Sequence, residues 1–168
     1  TIAHRQHLLV DQRRAPRERR LDRGQLVLEV HTGNADRQQS SREWLSRRPK
    51  ALPVIAGWDI APGQPARPPR DCTHAVLDSP AGLHGDALKA LLKAADCVIV
   101  PVAPSMFDIL ATRHFLDELA ELKAARGLSV GLVGMRVDPR TRSAEQLLRF
   151  VESTGLPLVT TLRDTQNY

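Results

Sequence analysis

The sequence predicts an α/β protein in which a parallel β-sheet carries helices on both faces, in three α/β/α layers. From His74 onward, short apolar strands alternate four times with helical segments, which is the pattern of β-α-β units. The strands are apolar at consecutive positions, as expected where helices cover both faces of a sheet. A length of 168 residues, with 42% hydrophobic and 26% charged residues, indicates one folded domain of ordinary composition.

The elements after His74 are predicted from apolar runs for the strands and from a 3.6-residue period for the helices. The second helix closes at Gly127, and the third begins near Ser143 and ends at Gly155. The predicted strands are HAVLD, CVIVPV, LSVGLVGMRV and LPLVTTL, and the predicted helices are DALKALLKAA, FDILATRHFLDELAELKAARG and SAEQLLRFVESTG. The first helix places four apolar residues on one face: Leu88, Leu91, Leu92 and Ala95.

Ahead of His74 the elements are shorter and less regular. We expect strands in QLVLEVH, residues 25–31, and in LPVIAGW, residues 52–58. Between them, Ser40 and Glu43 have the spacing of a capping box, which predicts a short helix that ends before Pro49. Residues 61–71 contain four prolines and are predicted to form a loop.

The first 24 residues differ from the rest of the chain. They contain seven Arg and no Lys, and HLLV is their only apolar cluster. Three interpretations fit: a solvated basic arm, a nucleic-acid-binding arm, or translation of a GC-rich gene out of frame. We therefore divide the chain into residues 1–24, whose order the sequence leaves open, and residues 25–168, which are expected to form one domain, incomplete at its ends.

Charge and cysteine content restrict the class of protein. Residues 1–50 carry 12 Lys and Arg against 6 Asp and Glu, whereas residues 51–168 carry 12 against 13, so the basic character belongs to the first part of the chain. Cys72 and Cys97 form no Cys-x-x-Cys pair, which argues against a disulfide framework or a zinc site. No apolar run approaches the length of a membrane span, so we expect a cytoplasmic protein.

Asp78 is the principal candidate for chemistry. It ends the strand HAVLD and is followed at once by Ser-Pro-Ala-Gly. Burial of an unpaired carboxylate is costly, and the carboxyl ends of parallel strands share the edge where α/β sheets bind ligands. A hydrated Mg²⁺ on a nucleotide phosphate is the simplest partner, and a cap of the next helix or turn is the alternative.

Several motifs, in order and at compatible spacing, resemble the ParA/MinD family of deviant P-loop ATPases. HAVLDSPAG resembles the family's apolar strand ending in Asp-x-Pro-Ala/Pro-Gly, while ADCVIVP and PSMFD resemble the motifs that follow it. NADRQQSS is similar to the switch segment, and GMRVDPRTRSAEQL and GLPLVTTLRDTQNY resemble the tail region. The resemblance covers residues 34–46 and 74–168 and implies a P-loop NTPase-like fold with ATP and Mg²⁺ as cofactors.

The sequence departs from the family at the phosphate loop, Lys-Gly-Gly-x-Gly-Lys-Thr. No Lys occurs before Lys50, and Gly24 and Gly33 are the only glycines ahead of it. Thr-Ile-Ala at positions 1–3 resembles the residues that follow this loop, so we expect a domain incomplete at both ends. Without the loop, little remains to hold the β- and γ-phosphates, and we expect these 168 residues to bind ATP poorly.

The resemblance assigns roles to two carboxylates. Asp78 would hold Mg²⁺ through water, and Asp36 would orient the water that attacks the γ-phosphate. Asn34 stands where the family has the first acid of an Asp-x-Asp pair, and an amide contributes no charge to a metal shell. Asp36 as an ordinary residue at the start of a helix is the alternative. Asp108 is expected to be a helix N-cap.

Five further residues are assigned to the nucleotide by resemblance. Ser79, Pro80 and Gly82 would shape the loop beside the γ-phosphate, where proline fixes φ and glycine permits close approach. A tight strand-to-helix turn is the alternative for these three residues. Met135 and Arg136 end their strand where relatives contact the adenine.

The function implied is that of a ParA-like partition ATPase. Such a protein forms an ATP-dependent homodimer, binds DNA non-specifically and is released when a ParB-like partner stimulates hydrolysis. A MinD-like positioning ATPase and a non-catalytic, degenerate interaction or DNA-binding module are the alternatives. An iron-sulfur carrier would need a cysteine pair, which the sequence lacks.

Overall fold

The computed structural model describes residues 9–11, 30–34, 40–59, 74–79, 82–122 and 125–165. Strands and helices alternate through most of this part of the chain. In chain order the elements are β1 Leu9–Asp11, β2 Val30–Asn34, α1 Ser40–Arg47, β3 Ile55–Asp59, β4 His74–Asp78, α2 Gly85–Leu92, β5 Cys97–Val102, α3 Met106–Glu121, β6 Ser129–Gly134, α4 Arg142–Thr154 and β7 Leu158–Thr161.

The strands form two hydrogen-bonded ladders. One has the order β3-β2-β4 and is entirely parallel. The other has the order β1-β5-β6-β7, in which β5, β6 and β7 are parallel to one another. The predicted α/β class is therefore confirmed, with parallel strands and intervening helices.

Strand β1 corrects the expectation of an entirely parallel sheet. It pairs antiparallel with β5, so that Val10 lies opposite Val98, and it also contacts β4. The strand falls in the Arg-rich first 24 residues, for which the sequence predicts no element. Leu9 and Val10 of this strand belong to HLLV, the one apolar cluster of that segment, and β-branched and aliphatic residues suit a position beside a buried strand.

The hydrophobic core contains residues of β4, β5 and β6 and of the helices α2, α3 and α4. In β5, alternate residues are fully buried and the others are half-buried, which agrees with the predicted two-sided burial. Three residues of the predicted apolar face of α2 are buried, namely Leu88, Leu91 and Leu92. The fourth, Ala95, is half-buried and lies beyond the end of the helix at Leu92. The largest fully buried side chains are Leu77, Leu88, Leu92, Leu132, Leu147, Val98, Val100, Val102 and Thr112.

Helix caps differ in position from the prediction at two sites. The N-cap of α3 is Ser105, not Asp108: the Asp108 backbone N–H donates to Ser105 Oγ at 3.2 Å, and Ser105 Oγ donates back to the Asp108 carboxylate. The N-cap of α4 is Thr141, which accepts from the Ala144 N–H. In each case a hydroxyl residue with extended backbone lies just ahead of the expected residue, and such a residue is a strong N-cap.

Helix α3 is shorter than predicted. It ends at Glu121, and Leu122 follows with extended backbone, whereas the sequence predicts a helix up to Gly127. Gly127 has φ +86° and Gly155 has φ +67°, so both adopt the left-handed conformation that favours glycine after a helix. Gly155 closes α4 as predicted.

Candidate functional site

The carboxyl ends of β2, β3 and β4 lie side by side and all carry polar residues. Asn34 is the last residue of β2 and is in register with Asp59, the last residue of β3, and with Asp78, the last residue of β4. Neighbouring strands are about 4.8 Å apart, so these residues form one row across the ladder. We call Asp59, Asn34 and Asp78 the carboxyl-edge row. The predicted position of Asp78 at the end of a parallel strand is confirmed.

Ser79 and Gly82 are the described residues that lie between β4 and the residues just ahead of α2. Ser79 directly follows Asp78 and is only 2% exposed. Gly82 has φ +71°, so a side chain there would be strained, and its carbonyl lies 2.6 Å from His84 Nδ1. The Gly85 N–H donates to Glu118 Oε1 on α3 at 3.2 Å, so a side chain from the neighbouring helix anchors the beginning of α2.

Met135 and Arg136 lie in a loop that is held at both sides by the neighbouring strands. The Met135 N–H donates to Val102 O at 2.8 Å, and the Val137 N–H donates to Leu162 O at 2.9 Å. Between these two hydrogen bonds Arg136 has φ +52°, which is uncommon for a residue other than glycine. Met135 is half-buried, whereas Arg136 is exposed.

The same loop contains a bidentate ion pair that the sequence did not predict. Arg140 Nε donates to Asp138 Oδ1 at 3.0 Å, and Arg140 Nη2 donates to Asp138 Oδ2 at 2.9 Å. These side-chain hydrogen bonds, followed by one from the Arg140 backbone N–H, lower the pKa of Asp138 from 3.8 to about 2. The carboxylate is therefore charged throughout the physiological range and holds Arg140 at the surface.

The predicted site residues that the structure describes lie in two separate places. Asp78, Ser79 and Gly82 lie together at the end of β4 and the beginning of the turn, while Met135 and Arg136 lie beyond β6 in the other ladder. Asp36, Pro80 and the predicted loop over residues 61–71 lie outside the described residues.

Asp59 was missed by the sequence analysis. The signal was present, because IAGWD ends a short apolar run with an acid just as HAVLD does. Asp59 belongs to the row only because β2 and β3 pair in this register. The sequence of a single strand does not determine its register with a neighbouring strand. The row therefore contains one more carboxylate than the sequence analysis proposed.

The carboxyl-edge row contains oxygen-bearing residues, and carboxylate and amide oxygens suit Mg²⁺. Within the described part of the chain, no three His, Cys, Asp or Glu residues form a ready-made metal cluster, so a metal held here would need further ligands from phosphate or water. The sequence offers no glycine-rich lysine loop for those phosphates. The residues present thus fit the metal ion better than they fit the triphosphate.

No family model matches the chain, and no curated protein gives a significant match. Among the helices of the described ranges, none combines the length and the apolar character needed to cross a lipid bilayer.

Proposed function

We propose that this chain contains part of the nucleotide-binding domain of a ParA-like partition ATPase, and that these 168 residues do not hydrolyse ATP by themselves. The observation that carries the proposal is the carboxyl-edge row, in which Asp78 ends a parallel strand in register with Asn34. In α/β sheets, ligands bind outside the carboxyl ends of parallel strands.

The order of the strands supports a three-layer arrangement of the P-loop NTPase kind. The chain moves outward from β2 to β3 in one ladder and outward from β5 through β6 to β7 in the other. Right-handed crossovers in opposite directions place their helices on opposite faces of a sheet. Helix α1 would then cover one face, and α3 and α4 the other.

In this proposal, different residues at the carboxyl edge bind the Mg²⁺ and the phosphates of ATP. Asp78 holds Mg²⁺ through water, with Asn34 as an uncharged neighbour. Ser79, Pro80 and Gly82 shape the turn beside the γ-phosphate, and the positive φ of Gly82 lets the backbone approach without a Cβ. When bound, Mg²⁺ would neutralise part of the negative charge of the phosphates.

The remaining predicted residues would contact the adenine or orient the attacking water. Met135 and Arg136 contact the adenine, and the two hydrogen bonds on either side of Arg136 fix the backbone that presents it. Asp36 orients the water. The lysine and the backbone amides of a phosphate loop are missing from the sequence, and this is why binding and hydrolysis are expected to fail.

The proposal includes partners that follow from the resemblance alone. An intact protein of this type would act in the cytoplasm as a homodimer that binds DNA non-specifically and is released through a ParB-like partner. The excess of Arg in the first 50 residues is compatible with contacts to phosphate. Such binding weakens steeply as salt concentration rises.

The test is Mg²⁺-dependent binding of a fluorescent ATP analogue. The chain as given should bind negligibly. A variant that carries Lys-Gly-Gly-x-Gly-Lys-Thr directly ahead of Thr1, the loop-restored protein, should bind only with Mg²⁺. Its Asp78→Asn variant should lose most of the Mg²⁺ dependence. The matched control is Asp164→Asn, an exposed acid outside the row, which should bind like its parent.

The absent phosphate loop also favours a second candidate, a non-catalytic module that binds DNA or protein without nucleotide. The same titration separates the two candidates. If the loop-restored protein shows no Mg²⁺-dependent binding although it is folded by circular dichroism, the ATPase proposal is overturned in favour of the module.

A further inference from the structure

A cavity of about 410 Å³ lies between α3, α4 and β6, away from the carboxyl edge. Val130, the second residue of β6, and Leu156, just ahead of β7, mark its position near the amino ends of these strands. It is thus separate from the residues assigned to the nucleotide. Its volume is within the range of pockets that hold small molecules, about 300–1,000 Å³.

The inner wall of the cavity is apolar and its rim is charged. Leu119 and Phe150 are buried at 3% and 4% exposure and line the wall together with half-buried Leu116. Arg113 and Arg126 are exposed and line the same cavity. A pocket with an apolar interior and a few polar groups at one side orients a ligand that is itself apolar at one end and polar at the other.

The two arginines are available to a ligand. The Arg113 guanidinium lies over the Phe150 ring, 5.2 Å from its centroid, and not against Asp117, which is one helical turn further along α3. Within the described residues, neither Arg113 nor Arg126 takes part in an ion pair. Among the described residues that line the cavity, Asp117 is the one acid, so their positive charge exceeds their negative charge.

Arg126 is placed at the rim by the chain that follows α3. On either side of Arg126, the Ala125 N–H donates to Leu122 O at 3.0 Å and the Leu128 N–H donates to Ala125 O at 3.1 Å. The early end of α3 at Glu121 therefore helps to form the cavity. A helix continued to Gly127, as the sequence predicts, would not make these hydrogen bonds.

The hydroxyls at the other side do not offer protons to a ligand. Ser153 Oγ donates to Phe150 O at 2.6 Å, and Thr154 Oγ1 donates to Val151 O at 2.7 Å. The donors that remain are the guanidinium groups, and a guanidinium binds a carboxylate through two parallel hydrogen bonds. We propose that this cavity binds a free medium-chain carboxylate, with its apolar chain against Leu119 and Phe150 and its carboxylate on Arg113 and Arg126.

The experiment is calorimetric titration of the full 168-residue chain with octanoate and, separately, with octan-1-ol. Octanoate should bind at one site, and the alcohol should bind at least tenfold more weakly because it lacks the charge. Arg113→Gln and Arg126→Gln should each weaken octanoate binding roughly tenfold or more, as expected for loss of a hydrogen bond to a charged group. Arg149→Gln, on the exposed face of α4, is the matched control and should leave binding unchanged.

A blocking variant tests the location. Ala120 lines the cavity and is exposed, so Ala120→Phe should fold normally and abolish octanoate binding. Equal binding of acid and alcohol, or undiminished binding by Ala120→Phe, would overturn the proposal. Sedimentation with phosphatidylglycerol vesicles that is lost in Ala120→Phe would also overturn it, because the occupant would then be a membrane lipid. None of these results depends on nucleotide binding, so the proposal stands or fails separately from the proposed function.

Discussion

Asn34 and Asp78 are in register at the last residues of β2 and β4, two neighbouring parallel strands. Asp59 is in register with Asn34 on the opposite side, so the one uncharged member of the carboxyl-edge row is in the middle. An amide at this position separates two acids that would otherwise have a third acid between them. The row therefore carries two acidic residues and one amide.

The first prediction is that Asn34→Asp makes stability dependent on divalent cations. Like charges opposite each other on adjacent strands are destabilising by about 0.2–1 kcal/mol, so the variant should melt at a lower temperature than the parent in EDTA. Excess Mg²⁺ should recover the loss, because a divalent cation neutralises the row. The measurement is thermal unfolding in EDTA and in Mg²⁺. Asn34→Gln, which adds no charge, should show no Mg²⁺ effect, and equal behaviour of the two variants would contradict the metal assignment.

The second prediction distinguishes the observed cap of α4 from the one that the sequence indicates. Thr141 Oγ1 accepts from the Ala144 N–H at 3.2 Å and donates to Asp138 O at 2.8 Å, so Thr141→Ala should lower the free energy of unfolding by about 1 kcal/mol. Ser143→Ala should change it by less than about 0.5 kcal/mol. Urea denaturation measures both, and Thr141→Ser should retain most of the parent's stability. If Ser143→Ala lowers the free energy of unfolding more than Thr141→Ala does, Ser143 caps α4, as the sequence predicts.

The sequence predicted most elements from His74 onward because their signals are local. HAVLD and CVIVPV coincide with β4 and β5, and the leucine face of α2 is buried as expected. The predictions were wrong or incomplete where residues distant in sequence determine the secondary structure. Leu9–Asp11 pairs with β5, which lies more than 80 residues further along the chain. The local sequence shows no hydrophobic period that predicts this strand.

The candidate site was predicted in part for the same reason. Asp78 at a strand end is visible in the local pattern, and its parallel neighbour follows from the fold class. The register that adds Asp59 and the bidentate contact between Asp138 and Arg140 come only from the assembled structure. Asp36 and Pro80 lie outside the described residues and remain predictions.

The third prediction concerns two glycines of β6 that differ in what surrounds them. A Cβ on Gly134 would lie 3.0 Å from Val137 Cγ2 and 3.1 Å from Thr161 Cγ2, in a buried position. A Cβ on Gly131 would lie 2.7 Å from Val159 Cγ2, but Val159 is 57% exposed. Gly134→Ala should therefore destabilise by about 1–3 kcal/mol through overpacking.

The loss in Gly131→Ala, in contrast, should be removed by Val159→Ala in the same chain. A double-mutant cycle in urea measures this coupling. If Gly131→Ala and Val159→Ala are simply additive, the close approach between these two residues is not the cause of the loss.

The fourth prediction is the titration of Asp138. Its pKa is lowered from 3.8 to about 2, so the carboxylate contributes stability above the unfolded-state value, and this contribution is lost as pH falls from about 4 towards 2. Arg140→Gln should return the pKa of Asp138 towards 3.8, since the hydrogen bonds from Arg140 are the main cause of the shift. NMR titration of the side-chain carboxyl carbon measures both values. An unchanged midpoint in Arg140→Gln would mean that another group holds the carboxylate.

The fifth prediction uses the backbone of Arg136 to separate stability from function. Its φ of +52° costs a non-glycine residue about 1–2 kcal/mol of conformational strain. Glycine at this position would remove that strain but would lose about 0.5–1 kcal/mol more in chain entropy on folding. Arg136→Gly should therefore raise the free energy of unfolding by up to about 1 kcal/mol. Arg136→Gln retains the strain and removes the charge, so its stability should equal that of the parent.

The two variants also separate the functional contribution of this arginine, because strain kept at a surface position needs a compensating role. In the loop-restored protein, both Arg136→Gly and Arg136→Gln should weaken binding of the fluorescent ATP analogue, although only the glycine variant gains stability. Fluorescence titration beside urea denaturation gives the two quantities on the same samples. If Arg136→Gly gains stability and binds the nucleotide as tightly as its parent, the arginine serves no contact to the base, and the assignment of this loop to the adenine is wrong.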